Sequence, residues 1–226
     1  MANRAATAMD NEAVTEVIRR LRQERPSWDD PYVTELAETA HDPFRVLIAT
    51  LLSLRTKDEV TAAASRRLFA LATTPAAMAE LPTEKIAQAI YPVGFYKTKA
   101  KTIKEVCREL IARFDSRVPD TIAELCSLKG VGRKTANLVL SLGYGKEAIC
   151  VDTHVHRISN RLGYVRTKTP QQTESALQEK LPRDFWSFYN SLLVAFGRHV
   201  CLPLSPLCSR CPVLQLCERV GVTRSR

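Results

Sequence analysis

The sequence has no long apolar run. No stretch approaches the roughly 20 consecutive apolar residues that a membrane-spanning helix requires, and Met1–Asp10 lacks the apolar core of a signal peptide. These absences argue against a membrane-embedded protein and against export. We therefore expect a protein that stays in the compartment where it is made and has no membrane partner.

Strand patterns and repeats are also missing. Apolar and polar residues never alternate cleanly over more than four positions, and no segment recurs at the period of a solenoid protein. Apolar residues instead recur at helical spacing, which predicts an all-α fold. The predicted helices cover Val14–Leu21, Phe44–Leu52, Glu59–Leu71, Pro75–Glu80, Thr83–Ile90, Ile103–Phe114, Ile122–Leu142, Val155–Leu162, Gln171–Leu181 and Phe185–Phe196.

Acidic residues are scarce relative to basic ones. The chain of 226 residues carries 24 Asp and Glu against 33 Lys and Arg, which gives a net charge of +9. A basic surplus favours a polyanionic partner such as nucleic acid, although the same surplus also serves solubility. The length suffices for one large or two small domains whose cores need no disulfides.

The seven cysteines do not suit a disulfide framework, because their number is odd and four of them crowd near the C-terminus. We expect Cys107, Cys126 and Cys150 to be small buried hydrophobic residues. The other four, Cys201, Cys208, Cys211 and Cys217, have the spacing Cys-x6-Cys-x2-Cys-x5-Cys. Four thiolates hold either tetrahedral zinc or an iron–sulfur cluster. Zinc ribbons usually offer two Cys-x2-Cys pairs, so the single pair here favours a [4Fe–4S] cluster and leaves zinc or unliganded thiols open.

A glycine turn followed by a lysine is the strongest candidate for chemistry. Gly130 and Gly132 allow a tight turn whose backbone N–H groups suit an anionic phosphate at the start of a helix. Lys134 lies just inside that helix, and Asp152 begins another helical segment. A lysine nucleophile requires such an amine with a nearby carboxylate. The run is not a nucleotide-binding P-loop, because the glycine spacing is wrong and the preceding segment is helical. A plain turn with a solvated lysine is the alternative.

Together these motifs resemble the endonuclease III family of DNA glycosylases. The resemblance rests on three runs in the same order, which are Leu128–Asn137 (LKGVGRKTAN), Val151–Arg157 (VDTHVHR) and the four-cysteine tail. It extends from about Glu16 to Arg219, and so covers nearly the whole chain.

The resemblance implies a two-domain helix-hairpin-helix fold. A six-helix barrel domain would span residues 36–146, with the helix-hairpin-helix near 121–143. Residues 1–35 and 147–226 would form a discontinuous helical domain that carries the [4Fe–4S] cluster at 201–217. The family's active-site cleft lies between the two domains.

The resemblance also implies an activity and its residues. Lys134 matches the family's catalytic lysine and Asp152 its catalytic aspartate. The enzyme would be a bifunctional DNA glycosylase and AP lyase that removes oxidised or saturated pyrimidines, such as thymine glycol, through a Schiff base on Lys134. The helix start and Arg133 would favour the neutral, nucleophilic form of that lysine, and Asp152 would take its proton or offset charge on the sugar.

The implied partner is double-stranded DNA with a damaged base or an abasic site, bound by a monomer in the cytoplasm at the nucleoid. The expected DNA-binding residues are Arg55, Phe95, Gly130, Gly132, Arg133, His154 and Arg157. We expect Arg198 and Arg210 to take over phosphate contacts, because the cluster loop Leu202–Leu207 lacks the basic residues that are common in the family.

Two of these residues depart from the family pattern. Arg55 stands where the family has the glutamine that fills the gap left by the extruded base, and Phe95 stands where it has a leucine wedge. Phe95 can stack between bases, and Arg55 can hydrogen-bond guanine. We therefore hypothesise a shifted preference for the opposite base. The alternative is that Arg55 contacts only a phosphate.

Two other functions stay open at this point. A monofunctional mismatch glycosylase is disfavoured by Lys134, which the mismatch branches of the family lack. A helix-hairpin-helix DNA-binding module without catalytic activity would keep the fold and the cysteines but would not cut abasic sites.

Overall fold

In the computed structural model of the protein, residues 9–226 are described, and within them there are twelve α-helices and no strand. The predicted all-α class is confirmed. Most of Met1–Asp10, where the prediction of no signal peptide falls, lies outside the described residues. The helices are α1 (Asn11–Glu24), α2 (Tyr32–Ala40), α3 (Pro43–Ser53), α4 (Asp58–Phe69), α5 (Pro75–Glu80), α6 (Thr83–Ile90), α7 (Tyr96–Phe114), α8 (Ile122–Ser127), α9 (Arg133–Leu138), α10 (Thr153–Leu162), α11 (Pro170–Lys180) and α12 (Trp186–His199).

Shorter turns complete the secondary structure. A π-helical turn, Val139–Gly143, continues directly from α9. The 3-10 turns are Arg25–Ser27, Arg183–Phe185, Cys208–Arg210 and Leu214–Leu216. No helix of residues 9–226 is both long and apolar enough to cross a membrane.

Side-chain caps explain where six of the twelve helices begin. Asp42 accepts hydrogen bonds from the backbone N–H groups of Phe44 and Arg45, and Pro43 occupies the first helical position of α3. Asp10, Thr74, Thr121, Asp152 and Thr169 cap α1, α5, α8, α10 and α11 in the same way. These signals are local in sequence, and for that reason the predicted starts of most helices are close to the observed ones.

The chain divides into two compact units. The first, here called the central unit, is Pro31–Ala148, and the predicted barrel domain 36–146 falls within it. Its long helix α7 packs against α5, α6 and α3. The core lies between these helices and includes Leu47, Ile48, Met78 and Ile103, all fully buried.

The second unit, here called the terminal unit, consists of the chain up to Asp30 together with Ile149–Arg226. Its α10 packs against α11 and α12, and α1 packs against α12. Val17, Ile158, Leu192 and Phe196 belong to its separate hydrophobic core. The ring of Trp28 lies 5.7 Å from that of Phe196 and joins the segment after α1 to this core.

Helix α2 was not predicted, and its cap explains why. The helix has no side-chain cap of its own, and the backbone N–H of Tyr32 donates to the carboxylate of Asp58 at 3.1–3.2 Å. Asp58 lies at the start of α4, 26 residues away. A cap that comes from a distant element leaves no local signal in the sequence.

The apolar pattern over Ile122–Leu142 forms two helices, α8 and α9, on either side of the glycine turn, where Leu128 is extended and Gly130 has a positive φ of 76°. One further prediction was wrong. Cys126, expected to be buried, is exposed. It lies on α8, whose six residues bury Leu125 alone. Cys107 and Cys150 are buried as predicted.

Candidate active site and cysteine cavity

The turn between α8 and α9 is held in the central unit by the apolar core and by contacts with α7. Leu128 and Val131 are buried in the core. Gly130 has a positive φ, and a Cβ at this position would lie 2.7 Å from Cγ2 of Thr102 on α7. A side chain at Gly130 would therefore meet both backbone strain and a collision. The ammonium of Lys129 adds an ion pair of 2.9 Å with Glu105 of α7.

Lys134 is the second residue of α9, where the sequence predicted it. Thr135, Ala136 and Asn137 of this short helix are buried, whereas Arg133 and Lys134, its first two residues, are exposed. Gly132 precedes the helix without a side-chain cap, and nothing lies within 4 Å of a Cβ built on it. Lys134 is thus an exposed residue of the central unit that follows the glycine turn directly.

Asp152 has a structural role in the terminal unit. Its Oδ1 accepts hydrogen bonds of 2.9 Å from the N–H groups of His154 and Val155, which makes it the N-cap of α10. The preceding residues hold it in place, because Ile149 and Val151 are buried and the carbonyl of Cys150 accepts a hydrogen bond from Asn190. Asp152 is therefore fixed by its own helix and by the segment before it.

Arg157, one of the predicted DNA-binding residues, is engaged inside the terminal unit. Its Nη2 donates to the carbonyl of Cys201 at 2.9 Å and to that of Gly197 at 3.4 Å, and it lies 3.2 Å from Nδ1 of His154. Burial lowers the pKa of this guanidinium. The close approach requires Gly197, because a Cβ there would lie 2.3 Å from His154 Nδ1. DNA contacts by His154 and Arg157 stay a prediction.

The four clustered cysteines line one cavity of the terminal unit, together with Ile158, Phe196, Val213 and Arg161. Burial raises the pKa of Cys211 to about 11 and raises the pKa of Cys217. The bare thiols therefore favour the protonated state, whereas a bound metal cation holds its thiol ligands deprotonated. Four soft sulfur ligands around one mostly apolar cavity fit an iron–sulfur cluster. Residues 9–226 contain no group of three or more His, Cys, Asp or Glu side chains that could hold a single metal ion. A [4Fe–4S] cluster does not require such a group, because each of its irons takes one thiolate ligand.

Arg161 is a residue of this cavity that the sequence did not indicate. Its Nη1 donates to Sγ of Cys201 at 3.4 Å and to the carbonyl of Leu202 at 2.7 Å, and its Nη2 donates to the carbonyl of Pro203 at 2.5 Å. The guanidinium thus holds the first turn of the uncharged loop Leu202–Leu207. Leu204, at the tip of that loop, is 91% exposed. In the sequence Arg161 is only a polar position on α10.

Arg55 and Phe95 meet in the central unit. Both are exposed, and both have a positive φ, 54° for Arg55 and 58° for Phe95. The guanidinium carbon of Arg55 lies 5.7 Å from the centroid of the Phe95 ring. The sequence named both residues but could not show that they touch, because they belong to turns that are 40 positions apart (95 − 55).

Comparison with known proteins places this geometry in a family. The family model described as HhH-GPD superfamily base excision DNA repair protein matches residues 48–183. Endonuclease III of Thermotoga maritima is 51% identical over 177 residues, an alignment that covers 78% of this chain and 83% of that protein. This chain belongs to the endonuclease III family.

Solved structures agree with the assignment. The protein in the structure of a non-covalent endonuclease III–DNA complex has 34% sequence identity to this chain. Their superposition covers 92% of this chain and 95% of that one, with a TM-score of 0.82. The structure of a trapped endonuclease III–DNA covalent intermediate, an estranged-adenine complex, is also 34% identical, covers 92% and 96% of the two chains, and has a TM-score of 0.80. The predicted family and fold are confirmed, and the protein is a DNA glycosylase and AP lyase of base excision repair.

Proposed function

We propose that this enzyme removes oxidised or saturated pyrimidines of the thymine glycol type from double-stranded DNA, with Lys134 as the nucleophile. The supporting observation is the position of Lys134, exposed on α9 directly after a glycine turn that leaves open space beside Gly132. The similar endonuclease III captured as a trapped covalent intermediate with DNA is consistent with a nucleophilic amine. The enzyme would work on the cell's own DNA.

The proposed chemistry needs one amine and one carboxylate. Nζ of Lys134 bonds to C1′ of the damaged nucleoside while the glycosidic bond breaks, and the base leaves with the bonding electrons and takes up a proton. The C1′–O4′ bond then breaks, O4′ takes up a proton and Nζ loses one, which gives a Schiff base between Lys134 and C1′. A proton next leaves C2′ as the C3′–O bond breaks with the phosphate as leaving group, which cuts the strand. Water then releases Lys134. Asp152 accepts the proton from the Lys134 ammonium or offsets positive charge on the sugar.

Substrate binding would use exposed groups of the central unit. The target base must leave the stack before the amine can reach C1′. Phe95, whose side chain is 64% exposed, would wedge between bases on the opposite strand, and Arg55 beside it would meet the base left without a partner. Gly130, Gly132 and Arg133 are also exposed and would approach the phosphate backbone.

We assign the [4Fe–4S] cluster to Cys201, Cys208, Cys211 and Cys217. The assignment is supported by the single cavity that all four thiols line. Bound there, the cluster would supply ligand bonds that tie the segment 201–217 together, and it would take no part in base removal. Arg161 would donate a hydrogen bond to the Cys201 thiolate.

Borohydride trapping tests the role of Lys134. The reagent reduces a Schiff base to a stable amine, so the wild-type enzyme should become covalently attached to DNA that contains thymine glycol. Lys134→Ala should give no attached species. Lys85→Ala is the control, because Lys85 is an exposed lysine of α6, outside the glycine turn, and is expected to leave trapping intact. Trapping that persists in Lys134→Ala would refute the assignment.

A further inference from the structure

The two turns that carry Arg55 and Phe95 have unusual backbone geometry. Residues other than glycine and asparagine rarely adopt a positive φ, because the Cβ then lies too close to the following carbonyl oxygen. Such conformations persist only where the surrounding contacts determine them. Two of them in adjacent turns indicate that specific contacts hold Arg55 and Phe95 in place.

Part of this support comes from the backbone itself. The N–H of Thr56 donates to the carbonyl of Ser53 at 3.1 Å, and the N–H of Gly94 donates to Oγ1 of Thr56 at 3.2 Å. Gly94 is required for the approach, because a Cβ there would lie 2.6 Å from the carbonyl oxygen of Arg55. The two turns therefore touch through main-chain atoms.

Lys99 supplies the remaining support. It lies one helical turn after Phe95 in α7, and its ammonium donates to the carbonyl of Leu52 at 2.7 Å, to that of Leu54 at 2.6 Å and to Oγ1 of Thr56 at 3.2 Å. All three protons of the ammonium are thereby used inside the central unit. The two carbonyls belong to the C-terminal end of α3, where the helix dipole attracts a cation.

Lys99 is partly buried, which distinguishes it from Lys97 and Lys101 on the same helix. Burial lowers the pKa of Lys99 to about 8. Lys97 and Lys101, two residues before and after it on α7, are exposed. A lysine that gives up solvent for three internal hydrogen bonds serves the fold around it, whereas exposed lysines on the same helix remain available to solvent or to DNA.

We propose that Lys99 is a positioning residue for opposite-base recognition. Its ammonium joins the end of α3 to the start of α7 and thereby holds Arg55 and Phe95 in the positions from which they would contact the strand opposite the lesion. This inference rests on the proposed roles of Arg55 and Phe95. Lys99 itself touches neither DNA nor the reacting atoms, and it carries no chemical step.

The test compares single-turnover glycosylase rates on duplexes with thymine glycol opposite guanine and opposite adenine. The ratio of the two rates is the opposite-base ratio. A guanine contact by Arg55 should give the wild-type enzyme a ratio of about 5-fold or more in favour of guanine. Lys99→Met, which has similar length and no donors, should lower this ratio at least threefold. Lys99→Arg keeps a cation with hydrogen-bond donors and should retain most of the wild-type ratio. Lys101→Met should leave the ratio unchanged.

Amide hydrogen exchange in the DNA-free protein gives a second readout. The N–H groups of Thr56 and Gly94 should exchange about tenfold faster in Lys99→Met and at the wild-type rate in Lys101→Met, because Lys99 donates hydrogen bonds to these turns and the exposed Lys101 does not hold them. If Lys99→Met fails to fold, Thr56→Val replaces it. That variant removes the hydroxyl that both Lys99 and Gly94 use, and it should lower the ratio in the same direction.

The outcomes separate the two proposals. If Arg55→Gln changes the opposite-base ratio but Lys99→Met and Thr56→Val do not, the positioning role of Lys99 is wrong. Equal slowing opposite guanine and adenine in Lys99→Met would also overturn it, since that result describes a merely structural residue. If Arg55→Gln leaves the ratio unchanged, the proposed role of Arg55 fails, and the inference about Lys99 fails with it, whatever trapping through Lys134 shows.

Discussion

At the scale of single residues, Arg55 and Phe95 are the most informative side chains of this enzyme. Both have a positive φ, and they meet in a cation–π contact. A residue held in a strained conformation is pre-organised, so little entropy is lost when it meets its partner. We infer that the backbone of Arg55 already has its final conformation before DNA binds.

A substitution at Arg55 distinguishes base reading from phosphate binding. If Arg55 reads the opposite base, Arg55→Gln should change the opposite-base ratio and leave the salt dependence of DNA affinity as it is. If Arg55 only contacts a phosphate, the slope of log affinity against log salt should become shallower by about one unit for either opposite base. Affinity for a duplex with an abasic-site analogue, measured at several salt concentrations, gives the slope.

Arg157 and Arg161 are charged residues whose guanidinium groups make hydrogen bonds inside the terminal unit. Both were polar positions of α10 in the sequence, and both donate to carbonyls of the segment that contains Cys201. Guanidinium groups suit this task, because one side chain can satisfy several acceptors at fixed angles. The sequence predicts a DNA contact for Arg157, which stays a prediction, and has no signal for the role of Arg161.

At the scale of elements, α10 has a cap that is also a proposed catalytic group. The Asp152 carboxylate accepts two backbone N–H groups at the start of this helix. A change at Asp152 can therefore reduce activity in two ways, through lost chemistry or through a frayed helix. The two effects differ in their dependence on charge, since asparagine caps a helix about as well as aspartate does.

Paired substitutions separate these effects. Asp152→Ala should lower the free energy of unfolding by about 1 kcal/mol, whereas Asp152→Asn should change it by only a few tenths. Both should lose most of the glycosylase rate if the carboxylate acts in the reaction. Urea unfolding and single-turnover kinetics measure the two quantities.

The control for Asp152 lies in the other unit. Asp42 caps α3 through the same pair of backbone hydrogen bonds and is not part of the proposed chemistry. Asp42→Ala should lose a similar amount of stability while its rate stays near that of the wild type. A fully active Asp152→Asn would show that the charge of this carboxylate is dispensable.

At the scale of the whole molecule, the two units are stabilised differently. The central unit is built from helices around a continuous apolar core. The C-terminal segment of the terminal unit contains only short 3-10 turns, and of residues 201–226 only Pro206 and Val213 are buried. So little apolar burial contributes little stability, and ligand bonds from the four cysteines would have to hold this segment.

Loss of one ligand should therefore affect the end of the chain first. Cys208→Ser should lose the visible absorption of the cluster, and trypsin should then cut at Arg210 and Arg219 well before it cuts the central unit. Cys126→Ser is the control, because Cys126 is exposed and belongs to α8. Visible spectra and mass analysis of the tryptic fragments check both variants. Equal protease resistance in Cys208→Ser and the wild type would show that the cluster does not hold the segment.

The sequence by itself determined the all-α class, most of the helix boundaries and the family. Helical spacing and local caps such as Asp42 and Asp152 act within a few residues, so they can be read without tertiary structure. The glycine turn before Lys134 and the cysteine spacing are equally local. These local features are enough to indicate the family without any knowledge of tertiary contacts.

Only the tertiary structure decided which residues meet. Asp58 caps α2 from 26 positions away, Arg161 reaches Cys201 from 40 positions away, and Lys99 reaches the end of α3 across 47 positions. Such contacts depend on how helices pack, and the same lysine or arginine in the sequence could equally face solvent. For that reason the sequence could name Arg55 and Phe95, whereas the contact between them and the burial of Lys99 appeared only in the fold.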